Sequence, residues 1–144
     1  MTATARTRAY LLGLGMICSC VAARAQDVVI VVNTKFRLSR ISAEELRDVF
    51  TGVRSRLEDG TRAIPVVLRG GPTHEVFLRK HVGDSPQEFR ALWRKAVFTG
   101  QGAMPREFNS EATLLDYVAT TPGAIGYVSR FYEVDGVKVL TISP

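Results

Sequence analysis

Ala63-Ile-Pro-Val-Val-Leu-Arg69-Gly-Gly-Pro-Thr-His-Glu-Val-Phe77 reads as a buried strand, a glycine turn carrying an arginine, and the start of a helix. Free N–H groups and the positive end of the helix dipole meet at that turn, which favours anions there. Arg69 adds a forked donor set suited to an oxyanion. Pro72 suits the first helical turn, and Thr73 offers a hydroxyl to a ligand or to the backbone. The unit points to an anion-binding α/β module more than to an enzyme. Its candidate ligand-binding residues are Arg69, Gly70, Gly71, Thr73 and His74. Strand–turn–helix units also serve as plain scaffold, and the local sequence leaves that reading open.

Outward from this unit, helices announce themselves through their caps. Ser42 followed by Glu45 is a capping box, with Ile41 and Leu46 as the hydrophobic staple and Gly52 placed to close the helix. Ser85-Pro86-Gln87-Glu88 repeats the device, and Phe89, Leu92, Trp93, Ala96 and Val97 follow at helical spacing. The helix after Pro72 is expected to run to about Val82. Another starts at Asn109 or Ser110, buries Leu114, Leu115 and Val118, and stops before Pro122-Gly123. Val28 to Val32 is wholly apolar and β-branched, as a central strand covered on both faces would be. Ile64 to Leu68, Ala124 to Val128 and Val137 to Ile142 are further strands, with Val137, Val139 and Leu140 alternating in the last. Strands alternating with helices predict an α/β fold with a mainly parallel sheet flanked by helices.

Residues 1–25 read as a signal peptide. Arg6 and Arg8 precede the short apolar run Tyr10 to Ile17, and Ala23-Arg24-Ala25 supplies small residues for cleavage. The run is far short of the ~20 residues of a membrane-spanning helix. Cleavage after Ala25 leaves one domain, residues 26–144, with Gln26 at its start. Ile17-Cys18-Ser19-Cys20 also resembles a lipoprotein box, which would tether the same domain through Cys20. Both cysteines lie in this leader, so after cleavage neither a disulfide nor a thiol contributes. Losing Arg6, Arg8 and Arg24 leaves 16 basic against 14 acidic residues, a net charge of +2. The basic residues are scattered, with no run interleaved with aromatics, which argues against nucleic-acid binding.

Three segments carry a likeness to a known family, in its order and over roughly residues 28–130. Ile41-Ser-Ala-Glu-Glu-Leu-Arg-Asp-Val-Phe-Thr-Gly52, Val66-Val-Leu-Arg69 and Thr121-Pro-Gly-Ala-Ile-Gly-Tyr-Val128 resemble the phosphate-specific solute-binding proteins of ABC transporters. The chain is similar in particular to short, single-lobe members of the type II periplasmic binding protein superfamily. Their tryptophan helix followed by Phe-x-Gly-x-Gly-x-x-Pro is matched by Trp93, Phe98, Gly100, Gly102 and Pro105. The resemblance implies one lobe of that fold, a periplasmic location, phosphate or a related oxyanion as ligand, and a membrane transporter or sensor as partner.

It also carries over Arg69, with Thr73 standing in for the family's serine. The family's aspartate is replaced by Gly71, the following glycine by His74, and a threonine by Glu75, whose carboxylate would repel a dianion unless neutralised or turned away. These departures, and a chain with room for about one lobe, argue against tight, selective phosphate capture.

The remaining polar and aromatic residues give less. His74 and His81 could share a helix face beside Glu75, but a metal site needs three or four converging ligands. A surface or capping histidine is the expectation, with no metal and no cofactor. Phe89, Trp93 and Phe98 could form a ligand platform, although their spacing fits core packing. Tyr127 could reach a cleft or simply pack. Arg106 and Glu107, in a glycine-rich loop over residues 99–109, are exposed candidates for partner contact. No nucleophile elbow, P-loop lysine or nucleotide fingerprint is present, which argues against an enzyme. Two functions remain: an oxyanion-binding protein of the transport type, or an envelope interaction module that docks on a membrane sensor, a transporter or a second copy.

Overall fold

The computed structural model describes residues 27–144; the leader, with its two processing routes, lies outside the described residues. A single six-stranded sheet runs through the chain. Its strands are β1 (Val28–Val32), β2 (Arg40–Ser42), β3 (Ile64–Leu68), β4 (Arg106–Phe108), β5 (Ala124–Ser129) and β6 (Lys138–Ser143), in the order β2-β6-β1-β5-β3-β4. The helices are α1 (Ala43–Phe50), α2 (Pro72–Phe77), α3 (Pro86–Phe98) and α4 (Glu111–Thr120). A π-helical turn, Leu78–Val82, extends α2.

The sheet is mixed. The β2–β6, β3–β4 and β3–β5 pairings are parallel, while β1 runs antiparallel to both β5 and β6. A wholly apolar strand shows that both faces are covered but says nothing about its direction. Pro65 sits where β3 already pairs with β5 but β4 pairing has not begun, since Val66 opposes Arg106. Its missing N–H is tolerable there. In β6, Leu140 faces the core and Val139 is turned outward, 44% exposed, so the inward set differs from the alternation expected of Val137, Val139 and Leu140.

Successive residues of β5 point to opposite faces. Tyr127 meets Phe50 of α1 and Phe77 of α2 on one side. At Gly126, an added Cβ would come within 2.8 Å of Leu114 of α4 on the other. The helices therefore cover both faces of the sheet.

The caps behave as local chemistry dictates, with one departure. Ser85 and Glu88 close a full capping box, Ser85 N–H donating to Glu88 Oε2 at 2.7 Å and Glu88 N–H to Ser85 Oγ at 3.2 Å. At α1, Glu45 N–H donates to Ser42 Oγ at 3.1 Å, but the reciprocal half is absent. Instead the buried Glu45 carboxylate accepts from Glu58 N–H at 2.9 Å and from Arg54 Nη1 at 3.4 Å. It ties down the segment after α1, a task no local pattern announces.

In α3 the buried stripe stops early. Phe89 and Trp93 are buried, while Val97 is 46% and Phe98 91% exposed. Trp93 donates from Nε1 to the Phe50 carbonyl at 3.0 Å and lies over Gly52, which has φ +79°. A Cβ there would be 2.8 Å from the indole, so glycine is required for both conformation and space.

Candidate functional site

The parallel strands β3 and β4 end side by side, with Leu68 opposite Phe108. Arg69 N–H extends the ladder by one bond, donating to the Phe108 carbonyl at 2.9 Å. The turns that leave them, residues 69–71 and 109–110, open at the carboxyl edge of the sheet, where α/β folds place their ligands. Gly71, at φ +95°, turns the chain into α2, a conformation only glycine adopts without strain. Glu75 N–H donates to the Gly71 carbonyl at 3.1 Å. Among the described residues, the N–H groups of Gly70, Gly71, Thr73 and His74 donate to no protein acceptor, and no side chain caps the helix.

Arg69 is 62% exposed and donates from Nε to Glu107 Oε2 at 3.3 Å. A pair this open to solvent adds little stability. What it does is fix the side chain while leaving the η nitrogens unengaged. Glu107 is thus the acidic partner of Arg69. Arg90, from α3, donates to the Arg69 carbonyl at 3.1 Å. Glu107 was expected in a loop; residues 106–108 instead form β4, a strand too short for its alternation to announce it. Arg106 stacks over Tyr117 and Phe108, 5.0 and 5.8 Å from their ring centroids.

Two further sequence expectations need correction. His74 is not at the surface: its ring is buried, and its Nδ1 is hydrogen-bonded to the Tyr127 hydroxyl. That hydroxyl also accepts from Leu68 N–H at 3.0 Å, so it serves two buried partners at once. The side chain of His74 therefore packs behind the turn. Tyr127 packs rather than lining a cleft, stacked on Phe77 at 3.8 Å. Burial pushes its phenol pKa upward. Second, Phe98 belongs neither to the core nor to a platform with Phe89 and Trp93.

Thr73 is buried at the first turn of α2, and among the described residues its hydroxyl makes no hydrogen bond to protein. Glu75 is exposed and lines a groove with Arg79, Asp84 and Ser85 that excludes the Arg69 turn. His81 lies in the π-helical turn against Phe77. Among the described residues no three metal-ligating side chains converge.

Burial lowers the pKa of His74, with a smaller push from Arg90, and burial with Lys80 does the same at His81. Both rings are neutral in the fold. On acidification the unfolded chain takes up protons first. Their contribution is therefore complete above the ordinary histidine pKa and is lost as pH falls through the lower folded values. The melting temperature should fall between about pH 7 and pH 5, and His74→Gln with His81→Gln should flatten that slope. A parent profile level across the range would refute the assignment.

This mixed α/β lobe shares its fold with solved structures of phosphate-transport substrate-binding proteins. One, from Clostridium perfringens and assigned as a phosphate ABC transporter substrate-binding protein with bound phosphate, has a TM-score of 0.62 and 15% identity, over 81% of this chain and 45% of that one. An ABC-type phosphate transport receptor from Vibrio cholerae gives 0.59 and 16%, over 81% and 46%. PstS from Borrelia burgdorferi gives 0.61 and 11%, over 82% and 47%. The chain thus spans somewhat less than half the length of these proteins, and at such identity the likeness is one of fold. No protein-family model matches the chain. Among the described residues no helix is long and apolar enough to cross a membrane.

Proposed function

We propose that this protein is a periplasmic solute-binding-type protein that holds phosphate or a related oxyanion, in the service of ABC transport rather than catalysis. The observation that carries the reading is Arg69: it directly follows β3, contacts Glu107 through Nε, and keeps its η nitrogens unengaged beside a glycine turn. The unpaired N–H groups of Gly70, Gly71, Thr73 and His74 and the Thr73 hydroxyl complete a donor set suited to an oxyanion. The named phosphate-binding relatives in fold support the same class of ligand. A membrane transporter and an export signal in residues 1–25 belong to this reading.

The test is thermal unfolding of the protein against a phosphate titration at constant ionic strength, with Arg69→Ala in parallel. A ligand bound only by the folded state adds about 2.7 kcal/mol at a hundredfold excess over its Kd. A saturating rise in the parent, absent from Arg69→Ala, is expected. No rise in the parent, or an equal rise in both, would remove this turn from consideration.

A second reading, an envelope interaction module, is favoured by one observation. Phe98 is 91% and Val53 76% exposed, and Val53 borders a groove of about 560 Å³ with Leu92, Trp93 and Ala96. It is the reading that an absent phosphate response would leave standing.

A further inference from the structure

The Arg69 turn does not stand alone. Gln87, Arg90 and Arg94 follow at i, i+3 and i+7 along α3, on one face of the helix. Together with Met104 and Glu107 they line a groove of about 330 Å³. Two of its residues touch Arg69 directly: Glu107 through its carboxylate, and Arg90 through the Arg69 carbonyl at 3.1 Å. Arg90 and Arg94 thus bring two guanidinium-bearing side chains to a groove that adjoins Arg69. Among the described residues, neither Arg90 nor Arg94 has an acidic partner within 4.0 Å. Guanidinium groups without carboxylates are fit to grip phosphoryl oxygens in forked pairs. Gln87 adds an amide that can donate to the same oxygens.

We infer that this groove between α3 and β4 seats a second anionic group of the ligand held at Arg69, so that the ligand class is a diphosphate, inorganic or as an ester, in preference to free orthophosphate. The inference rests on the anion-binding reading of Arg69. The cavity lies at the small end of ligand pockets, which suits a compact polyanion better than an apolar ligand. Glu107 lines this groove and contacts Arg69, so the groove and the Arg69 turn adjoin.

Calorimetric titration of the protein with orthophosphate and with diphosphate, at matched ionic strength and without divalent cations, tests this. Diphosphate should bind at least about tenfold more tightly, the size expected of an added charge-assisted contact. Arg94→Ala should remove most of that advantage. Lys95→Ala, which deletes an equal charge outside the groove, should retain it. Equal affinity for the two anions, or equal losses in the Arg94 and Lys95 variants, would overturn the second subsite while leaving the Arg69 reading intact. Binding of neither anion would overturn both. Arg94 is exposed, so its truncation tests the groove without disturbing the core.

Discussion

Tyr127→Phe is expected to destabilise the protein far more than the loss of one oxygen suggests. β3 pairs with β5 only at Ile64 and Pro65, after which Leu68 N–H is held by the Tyr127 hydroxyl instead of a strand. The same hydroxyl satisfies His74 Nδ1, and all three residues are buried. Removing it leaves Leu68 N–H and His74 Nδ1 without their partner, each costing about 1–3 kcal/mol, so a loss of about 2–6 kcal/mol is expected. That is a fall in melting temperature of about 8–24 °C for a domain of this size. Leu68 immediately precedes Arg69, so the variant should also weaken any anion binding at the turn. A loss below about 1 kcal/mol would show that Leu68 and His74 find other partners and that the hydroxyl is not what fixes the end of β3.

This network also marks where the sequence stopped being informative. The helix starts at Ser42 and Ser85 were legible because a capping serine and a glutamate lie three residues apart, while the fourth helix was bracketed to Asn109 or Ser110. β2 and β4 were not, since Arg40-Ile-Ser42 and Arg106-Glu-Phe108 are strands only by virtue of the neighbours they pair with. Missing β4 meant missing that Glu107 falls beside Arg69, 38 residues away. His74 looked like a ligand because it is polar and follows a glycine turn; its partner lies 53 residues further on. Glu45 fits half a capping box, and only the fold of the following segment decides where its carboxylate goes. Among the candidate site residues, the sequence located the turn itself, where local backbone chemistry suffices. The groups that hold the turn in place come from α3, β4 and β5, and no spacing could reveal them.

The segment Thr121 to Val128 supplied much of the family likeness, and its residues answer to packing more than to a ligand. Gly126 leaves room for Leu114 and Val66, and Tyr127 carries the network above. Gly123 is the most constrained of the three. It has φ +84°, and a Cβ would lie 2.8 Å from the carbonyl oxygen of Arg62. That oxygen belongs to the backbone, and the Gly123 carbonyl accepts from Ile64 N–H at 2.8 Å, so neither chain can step aside. Gly123→Ala should therefore cost about 1–2 kcal/mol for the left-handed backbone and about 1–3 kcal/mol more for the overpacked contact. Gly60→Ala supplies the comparison, because Gly60 has the same φ of +84° with nothing within 4 Å of its Cβ position. Its loss measures the backbone contribution alone. Denaturant unfolding of the two variants should show Gly123→Ala the less stable by the size of the contact term. Equal losses would mean that β3 and the α4–β5 junction can separate freely, and that the close approach does not help to set the edge from which Arg69 emerges.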